Sequence, residues 1–577
     1  MSSKKPIRFN YLFVYSTLYS IIFVFLFLAY RQQLTKYTKN IIFIINIFII
    51  LGVFNLEILR KKAFYTFKLF FKTGAKIYLY SFVLLISGWL FIIIGNRFSA
   101  ETMLFYPFVL IVTQIEIFIY IFLFIKFYSQ YVESTKLDAP HFVVIGFISL
   151  IIIGAFLLFE PISQKKEISF IDALFTSTSA VCVTGLTVNN ITEAFTPAGL
   201  TIILLLIQLG GLGIMVLYAS FILFFVGSLS IKGFDITIKS TEISAKYSSF
   251  QRTIFFILIY TIIIEFIGAL LLTLRLNFLG FPLKTSLILG VFHSISAFCN
   301  AGFSLFTNSF VNFKGDILIN LTIIGLITFG GIGFVVNYDI LKNLLYKIKK
   351  EKKYVSLTVQ SKMVLKMYLF LNLFGAILFF LMENKGVLKG LLPHEKVLAS
   401  LFQVVTARTA GFNTVDISSL STLSKTLLEI LMIIGASSGS TGGGIKVTTF
   451  FIIIYTIVSF IREKENVNVY NHKISNYQII KSFSLFFTYL FVILISYSLL
   501  LFFEKSNPQN LLFETISALG TVGLSTGITS SLSDPAKIIL TVVMFIGRVG
   551  PLTVFTALSI TKKHEPVDYP ETEIMIG

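Results

Sequence analysis

Four glycines, Gly185, Gly302, Gly411 and Gly523, recur 117, 109 and 112 residues apart, each ending a short stretch that mixes apolar and hydroxyl residues. The local sequences are VCVTGL, FCNAGF, ARTAGF and GTVGL. Each is flanked on both sides by apolar runs of about 20 residues, the length a helix needs to cross a bilayer. Such a chain places every glycine segment between two crossings. Irregular backbone at that depth survives only when it is buried in protein or faces water. Four segments meet the requirement together if they surround one aqueous axis.

The composition agrees with a membrane setting. The 577 residues are 56% hydrophobic and 13% charged, with 64 Phe and a mean hydropathy of +0.87. No water-soluble core hides that much apolar side chain, so the class is integral membrane protein. The formal net charge of +19 does not point to nucleic acid. The Lys and Arg residues fall mostly between hydrophobic runs, as the positive-inside bias requires. The first residues, MSSKKPIRFN, lead into an apolar stretch with no small-residue cleavage site, which reads as a retained helix. The two cysteines, Cys182 and Cys299, each lie three residues before a repeat glycine. They read as small packed side chains.

Counting apolar runs predicts twelve crossings in an all-α polytopic protein. Four precede the repeats, near 11–30, 41–58, 75–95 and 103–127, and form an N-terminal extension over 1–138. The repeats over 139–577 (about 139–235, 236–350, 351–470 and 471–577) supply pairs: 141–159 with 198–226, 253–274 with 317–341, 360–382 with 424–460, and 480–503 with 534–560. Between the members of each pair lies a segment too short to span: 170–183, 286–300, 396–409 and 510–521. Three of these share a Ser-Ala pair ahead of the glycine (Ser179-Ala180, Ser296-Ala297, Ser517-Ala518), whereas the third has Val405-Thr406. The fourfold symmetry is therefore approximate. The charge-dense connections Lys61–Lys76, Lys342–Lys353 and Arg462–Lys473 fall on one side if the N-terminus is cytoplasmic, while the basic RQQLTKYTK runs against that bias. No stretch between crossings is long enough for a folded domain, so nucleotide sensing would belong to another polypeptide.

A partly dehydrated cation needs several oxygens at fixed spacing, which rings of backbone carbonyls provide. Glycine belongs in such a ring because a Cβ resists the dihedrals that aim successive carbonyls at one axis. The expected lining is Val183-Thr184-Gly185, Asn300-Ala301-Gly302, Thr409-Ala410-Gly411 and Thr521-Val522-Gly523. The short helices before them direct their negative ends toward the cavity. A second constellation lies within the 424–460 run: Gly435, Ala436, Ser437, Ser438, Gly439, Ser440, Thr441, Gly442, Gly443 and Gly444, followed by Lys446. Five glycines and four hydroxyls in ten residues break a helix and leave a polar loop inside the protein, placed to obstruct a pore. A phosphate-cradling loop would need Gly-Lys-Ser/Thr after a strand, and Ile445 separates Gly444 from Lys446. Arg548, in MFIGRVGPLTV, is an intramembrane cation and so is expected to be paired or to face water. It reads as an electrostatic barrier docking on the loop carbonyls, against a plainer reading as a helix-end residue reaching the interface. Glu265, in the 253–274 run, reads as a second buried charge, against a plainer reading as one paired with a neighbour. The five histidines, His141, His293, His394, His472 and His564, show no metal-ligand spacing, and no catalytic motif stands out. The pattern is that of a non-enzyme.

Taken together, TGLTV, CNAGFSLF, TARTAGFNTVD and GTVGLSTGIT resemble the Trk/Ktr/HKT superfamily of cation transporters, in its bacterial KtrB/TrkH branch. GGLGIM, GGIGF, GASSGSTGGGIK, FIGRVGPLT and YPETEIMIG add to the match, which covers Ala139 to Gly577. The resemblance implies a potassium uptake subunit of the inner membrane, with K+ held at the filter residues. Na+ enters as an activator or co-ion, because sodium dependence occurs in relatives. It further implies a homodimer in lipid with one pore per protomer, and a separate cytoplasmic nucleotide-binding ring of RCK type. The glycine-rich loop and Arg548 match the family's gate elements. The extension over 1–138 departs from the core family unit. The main alternative is a sodium-coupled secondary cation transporter with broken helices at mid-membrane.

Overall fold

The computed structural model describes residues 139–213, 216, 247–348 and 357–558. The four crossings expected within 1–138, most of 213–226 and the closing YPETEIMIG lie outside the described residues.

The described chain is helical and divides into four similar units. The first comprises α1 (Ala139–Phe159), α2 (Phe170–Val181) and α3 (Pro197–Leu212). The second comprises α4 (Tyr247–Phe278), α5 (Leu283–Phe298), α6 (Ile317–Gly331) and α7 (Phe334–Ile348). The third holds α8 (Val359–Glu383), α9 (Pro393–Ala407), α10 (Thr422–Ile433) and α11 (Val447–Ile461). A two-residue antiparallel pair, β1 (Asn468–Val469) with β2 (His472–Lys473), leads into the fourth. That unit contains α12 (Asn476–Phe503), α13 (Pro508–Gly520), α14 (Asp534–Val549) and α15 (Pro551–Leu558).

Local chemistry sets the helix starts. Ser169, Thr196, Asp316, Thr358, Ser421 and Ser475 each accept a hydrogen bond from a first-turn N–H of the helix they precede, satisfying donors that have no partner within the helix. The leading helix of every unit is long and apolar enough to span a bilayer. Only 33, 33, 28 and 28% of the four apolar windows are buried in the protein. Ile262, Phe266, Phe374 and Phe491 are among the large apolar side chains left outward, a surface that lipid would cover. The short helices α2, α5, α9 and α13 reverse this pattern. Their C-terminal halves are buried, and α13 is closed off from Phe513 through Gly520.

The packing closes on itself. Within each unit the short helix lies against the long one (α1 on α2, α4 on α5, α8 on α9, α12 on α13), and the next unit's short helix packs on the outgoing helix. Thus α3 meets α5, α6 meets α9, α10 meets α13, and α14 returns to α2. An ion pair supports that last junction: Lys537 Nζ of α14 lies 2.8 Å from Asp172 Oδ1 of α2.

The outgoing helices depart from expectation. The sequence predicts a break only in 424–460, yet 317–341 and 534–560 are not continuous helices either. α6 and α7 meet at 106°, and α14 and α15 at 96°. In the first unit α3 stops at Leu212, so its 16 residues reach only about 24 Å. The cause is a repeated G-x-x-G: Gly213, Gly333 and Gly550 have φ of +82°, +94° and +93°. Side chains with a Cβ avoid that conformation. Sequence hydropathy does not register such a turn because the flanking residues stay apolar.

Candidate functional site

The four repeat glycines meet. A Cβ placed on Gly185 would overlap the carbonyl oxygen of Ala301 and stand 3.1 Å from Gly302 Cα. On Gly302 it would lie 2.8 Å from Ala410 O and 3.1 Å from Gly411 Cα. On Gly411 it would overlap Val522 O, 3.1 Å from Gly523 Cα, and on Gly523 it would overlap Thr184 O, 3.0 Å from Gly185 Cα. The contacts therefore run 185, 302, 411, 523 and back to 185, through the carbonyl of the residue preceding each glycine. At all four positions φ is between +71° and +92°.

The ring is built by the way the short helices end. Val183, Asn300, Thr409 and Thr521, two residues before each glycine, all have positive φ (55°, 59°, 76° and 49°). In three units the next N–H donates back across the last turn: Thr184 to Ser179 O (2.8 Å), Ala301 to Ser296 O (2.7 Å) and Val522 to Ser517 O (2.8 Å). This is the Schellman ending of a helix. The shared Ser of the Ser-Ala pairs has a second task here. Gly185 N donates to Ser179 Oγ at 3.0 Å and Gly523 N to Ser517 Oγ at 3.1 Å, while Ser296 Oγ donates to Phe303 O at 2.8 Å. The third unit, which lacks the pair, closes one residue later, with Gly411 N donating to Thr406 O at 3.3 Å. The buried C-termini of four helices thus surround the ring, and their partial negative charge favours a cation below it. Among side chains of the ring layer, the Asn300 amide lies 3.3 Å from Thr409 Oγ1, its oxygen turned to accept from that hydroxyl and its NH2 to donate to Ala297 O (3.0 Å) and Ile327 O (3.2 Å), and Thr184 and Thr521 are fully buried.

The glycine-rich loop lies against the helix-side face of the ring. A Cβ on Gly442 would overlap Thr409 Oγ1, and one on Gly443 would overlap Thr521 Oγ1. The loop's limbs are zipped: Ile434 pairs with Ile445, Gly435 N donates to Ile445 O at 3.0 Å and Ala436 N to Gly443 O at 3.2 Å. Side chains close the turn, with Ser440 Oγ donating to Ser437 O (2.6 Å) and Lys446 Nζ to Gly442 O (2.9 Å). Ser438 Oγ lies 3.1 Å from Thr448 Oγ1. The loop is also fastened to the broken helix of the second unit. Ser437 N donates to Gly331 O (3.0 Å), Thr441 N to Gly330 O (3.3 Å), and Phe334 N to Gly439 O (2.9 Å). Thr441 Oγ1 reaches Phe298 O at 3.1 Å. Gly439 and Gly444 take φ of +66° and +69°.

Arg548 occupies the last turn of α14 and is half-buried. Nη1 donates to Thr441 O, and Nη2 to Gly210 O and, at 3.2 Å, to Gly211 O. One guanidinium therefore ties the loop to the end of α3, a geometry suited to a planar fork of donors. Glu265 accepts from Gln208 Nε2 at 3.2 Å, with Cys299 Sγ 3.5 Å from Gln208 Oε1.

Two features were missed in the sequence. Arg408, the residue after α9, is 1% exposed. Its guanidinium carbon sits 3.6 Å from the centre of the Tyr368 ring, and Nη2 donates to Gly435 O at 3.0 Å. It fixes the root of the loop to the third short helix through cation–π and carbonyl contacts. The visible signal was a basic residue within ARTAGF. The second feature is a set of glycines on the outgoing helices. A Cβ on Gly210, Gly330 or Gly547 would overlap Val181 O, Phe298 O or Leu519 O respectively. Each lets its helix seat against the end of the short helix in its own unit.

The family described as "TrkH: Cation transport protein" matches residues 117–566. The chain is 36% identical over 451 residues to the Ktr system potassium uptake protein B of Bacillus subtilis, covering 78% of this chain and 99% of that one. It is 34% identical over 454 residues to the potassium/sodium uptake protein NtpJ of Enterococcus hirae, covering 77% and 98%. Its fold is similar to the crystal structure of the potassium transporter TrkH from Vibrio parahaemolyticus, with a TM-score of 0.60 at 19% identity over 84% and 97% of the two chains. The ring of four glycines that follow the short helices and these extended similarities have one conclusion: the chain belongs to the TrkH family of cation transport proteins.

Proposed function

We propose that this protein takes up potassium ions across the cytoplasmic membrane of a bacterium, with its N-terminus inside. Carbonyls of Val183-Thr184-Gly185, Asn300-Ala301-Gly302, Thr409-Ala410-Gly411 and Thr521-Val522-Gly523 replace the water that a K+ ion sheds. The loop Gly435–Gly444, Lys446 and Arg548 obstruct the route on the helix side until they are displaced. The observation that carries this reading is the closed sequence of glycine contacts, because four strands held that tightly form one narrow passage. The names of the relatives support potassium. The displacing partner in this reading is a separate nucleotide-binding ring on a homodimer.

The name of the Enterococcus hirae relative also brings in sodium, as activator, co-ion or coupling ion of a secondary transporter. One experiment separates these. The full chain is expressed in a bacterium lacking potassium uptake, and growth at low potassium is scored with and without Na+ and a co-expressed regulatory subunit. Rescue at low potassium is the expected result. Rescue that requires Na+ in proportion to the K+ taken up would favour coupled transport, and no rescue with a folded, membrane-inserted protein would overturn the potassium reading.

A further inference from the structure

The position nine residues before each repeat glycine is occupied by Thr176, His293, Phe402 and Glu514. Two of these are titratable side chains buried deep in the protein, His293 at 1% and Glu514 at 0% exposure. Both reach the same place in their own units, the second and third residues after the glycine. Glu514 Oε1 accepts from Ser525 Oγ (2.6 Å) and Thr526 N (2.9 Å), and Oε2 accepts from Thr529 Oγ1 (3.0 Å). His293 Nε2 accepts from Leu305 N at 3.2 Å and faces Ser304 Oγ at 3.0 Å. That bond assigns the ring proton to Nδ1, which donates to Leu289 O at 2.8 Å.

The other two units lack this link. Thr176 Oγ1 donates to Asp172 O of its own helix, and Phe402 has no polar group. The order of glycine contacts runs through the units in sequence, so units two and four stand opposite one another. Units two and four are therefore braced from behind, across one diagonal of the ring. A buried carboxylate costs desolvation energy that an apolar residue in the same place would not. Its presence in the buried middle of α13 calls for a role beyond stability.

We propose that Glu514 and His293 are positioning residues for ion discrimination. They hold the strands on the far side of Gly523 and Gly302, and so fix how far the ring can contract around an ion smaller than K+. The proposal rests on the reading of the ring as the filter. Neither residue touches the ion. Each acts through the second and third residues after the glycine, Ser525 and Thr526 or Ser304 and Leu305.

The test measures the ratio of K+ to Na+ uptake by the full-length protein in liposomes, together with the K+ concentration at half-maximal flux. Glu514→Leu keeps the approximate size but removes both acceptor oxygens that Ser525, Thr526 and Thr529 use. His293→Phe keeps the ring stacked 4.7 Å from Phe306 but removes the acceptor. Each is expected to lower the K+/Na+ ratio about fivefold, with Glu514→Asp restoring part of it. A merely structural role would lower both fluxes together and leave the ratio alone. Should Glu514→Leu fail to fold, Ser525→Ala removes one donor, leaves the carboxylate bonded to Thr526 and Thr529, and is expected to lower the ratio about twofold. Thr176→Val, whose hydroxyl bonds only its own helix, is expected to leave it unchanged. Unchanged ratios in folded Glu514→Leu and His293→Phe, or in Ser525→Ala, overturn the proposal. If Gly302→Ala lowers the ratio while these do not, the brace falls and the filter reading stands. If none of them does, the filter reading falls as well.

Discussion

Replacing Gly302 by Ala adds one methyl group to the ring and tests the central assignment. The new Cβ would lie 2.8 Å from Ala410 O, whereas ordinary contact begins at 3.4 Å, so that carbonyl must retreat by about 0.6 Å. The Gly411 backbone, 3.1 Å away at Cα, blocks an easy slide. Backbone strain adds to this, since a residue with a Cβ held at φ +71° costs about 1–2 kcal/mol. The cheapest relief is a wider ring in the third unit, and a wider ring no longer matches K+ better than its competitors. If the strain energy is taken from ion discrimination, the K+/Na+ uptake ratio falls about 5- to 30-fold. The assay is uptake in liposomes at fixed K+ with rising Na+, using protein that remains monodisperse in detergent. Gly325 provides the internal control: it lies in α6, and a methyl added there would meet nothing within 4 Å, so Gly325→Ala should keep the parent ratio. A folded Gly302→Ala protein with parent-like discrimination would refute the argument, because the ring could then not be where ions are sorted.

Arg548→Gln should raise K+ flux several-fold in the absence of any regulatory partner. A glutamine cannot bond Thr441 O and the Gly210 carbonyl at once, so the loop loses its tie to α3 and the route loses a positive charge. Deleting Ser440, Thr441 and Gly442 should act in the same direction, and flux that stays low in both folded variants would remove the gate role. Lys537→Met should destabilise the protein by about 3 kcal/mol, the low end for breaking a largely desolvated pair, because Asp172 is left without the partner 2.8 Å away. Thermal denaturation in detergent measures this, and Asp172→Asn with Lys537→Met should cost less than the two single changes added together. Strict additivity would show that the pair does not couple the fourth unit to the first.

Much of the architecture was legible because it is written in local, repeating chemistry. The long apolar runs, the short segments between them and the four glycines all follow from what a bilayer permits. The Ser-Ala pairs marked the three short helices that end alike, and the odd third unit was visible in Val405-Thr406. The bends at Gly333 and Gly550 were less visible, since a turn between apolar residues leaves hydropathy unchanged.

Sequence by itself determined which runs are apolar and long enough to cross, where the short helices end, and which glycines recur. It could not determine what those ends touch. The closing of unit four on unit one, through α14 against α2, joins residues more than 360 positions apart. The tie from Arg548 to Gly210, across 338 positions, and the seat of Arg408 on Tyr368 were likewise beyond the sequence's reach. Periodicity reports which face of a helix is apolar, whereas a buried charge is placed by partners from several distant segments. Only the folded ring brings those partners within hydrogen-bonding distance.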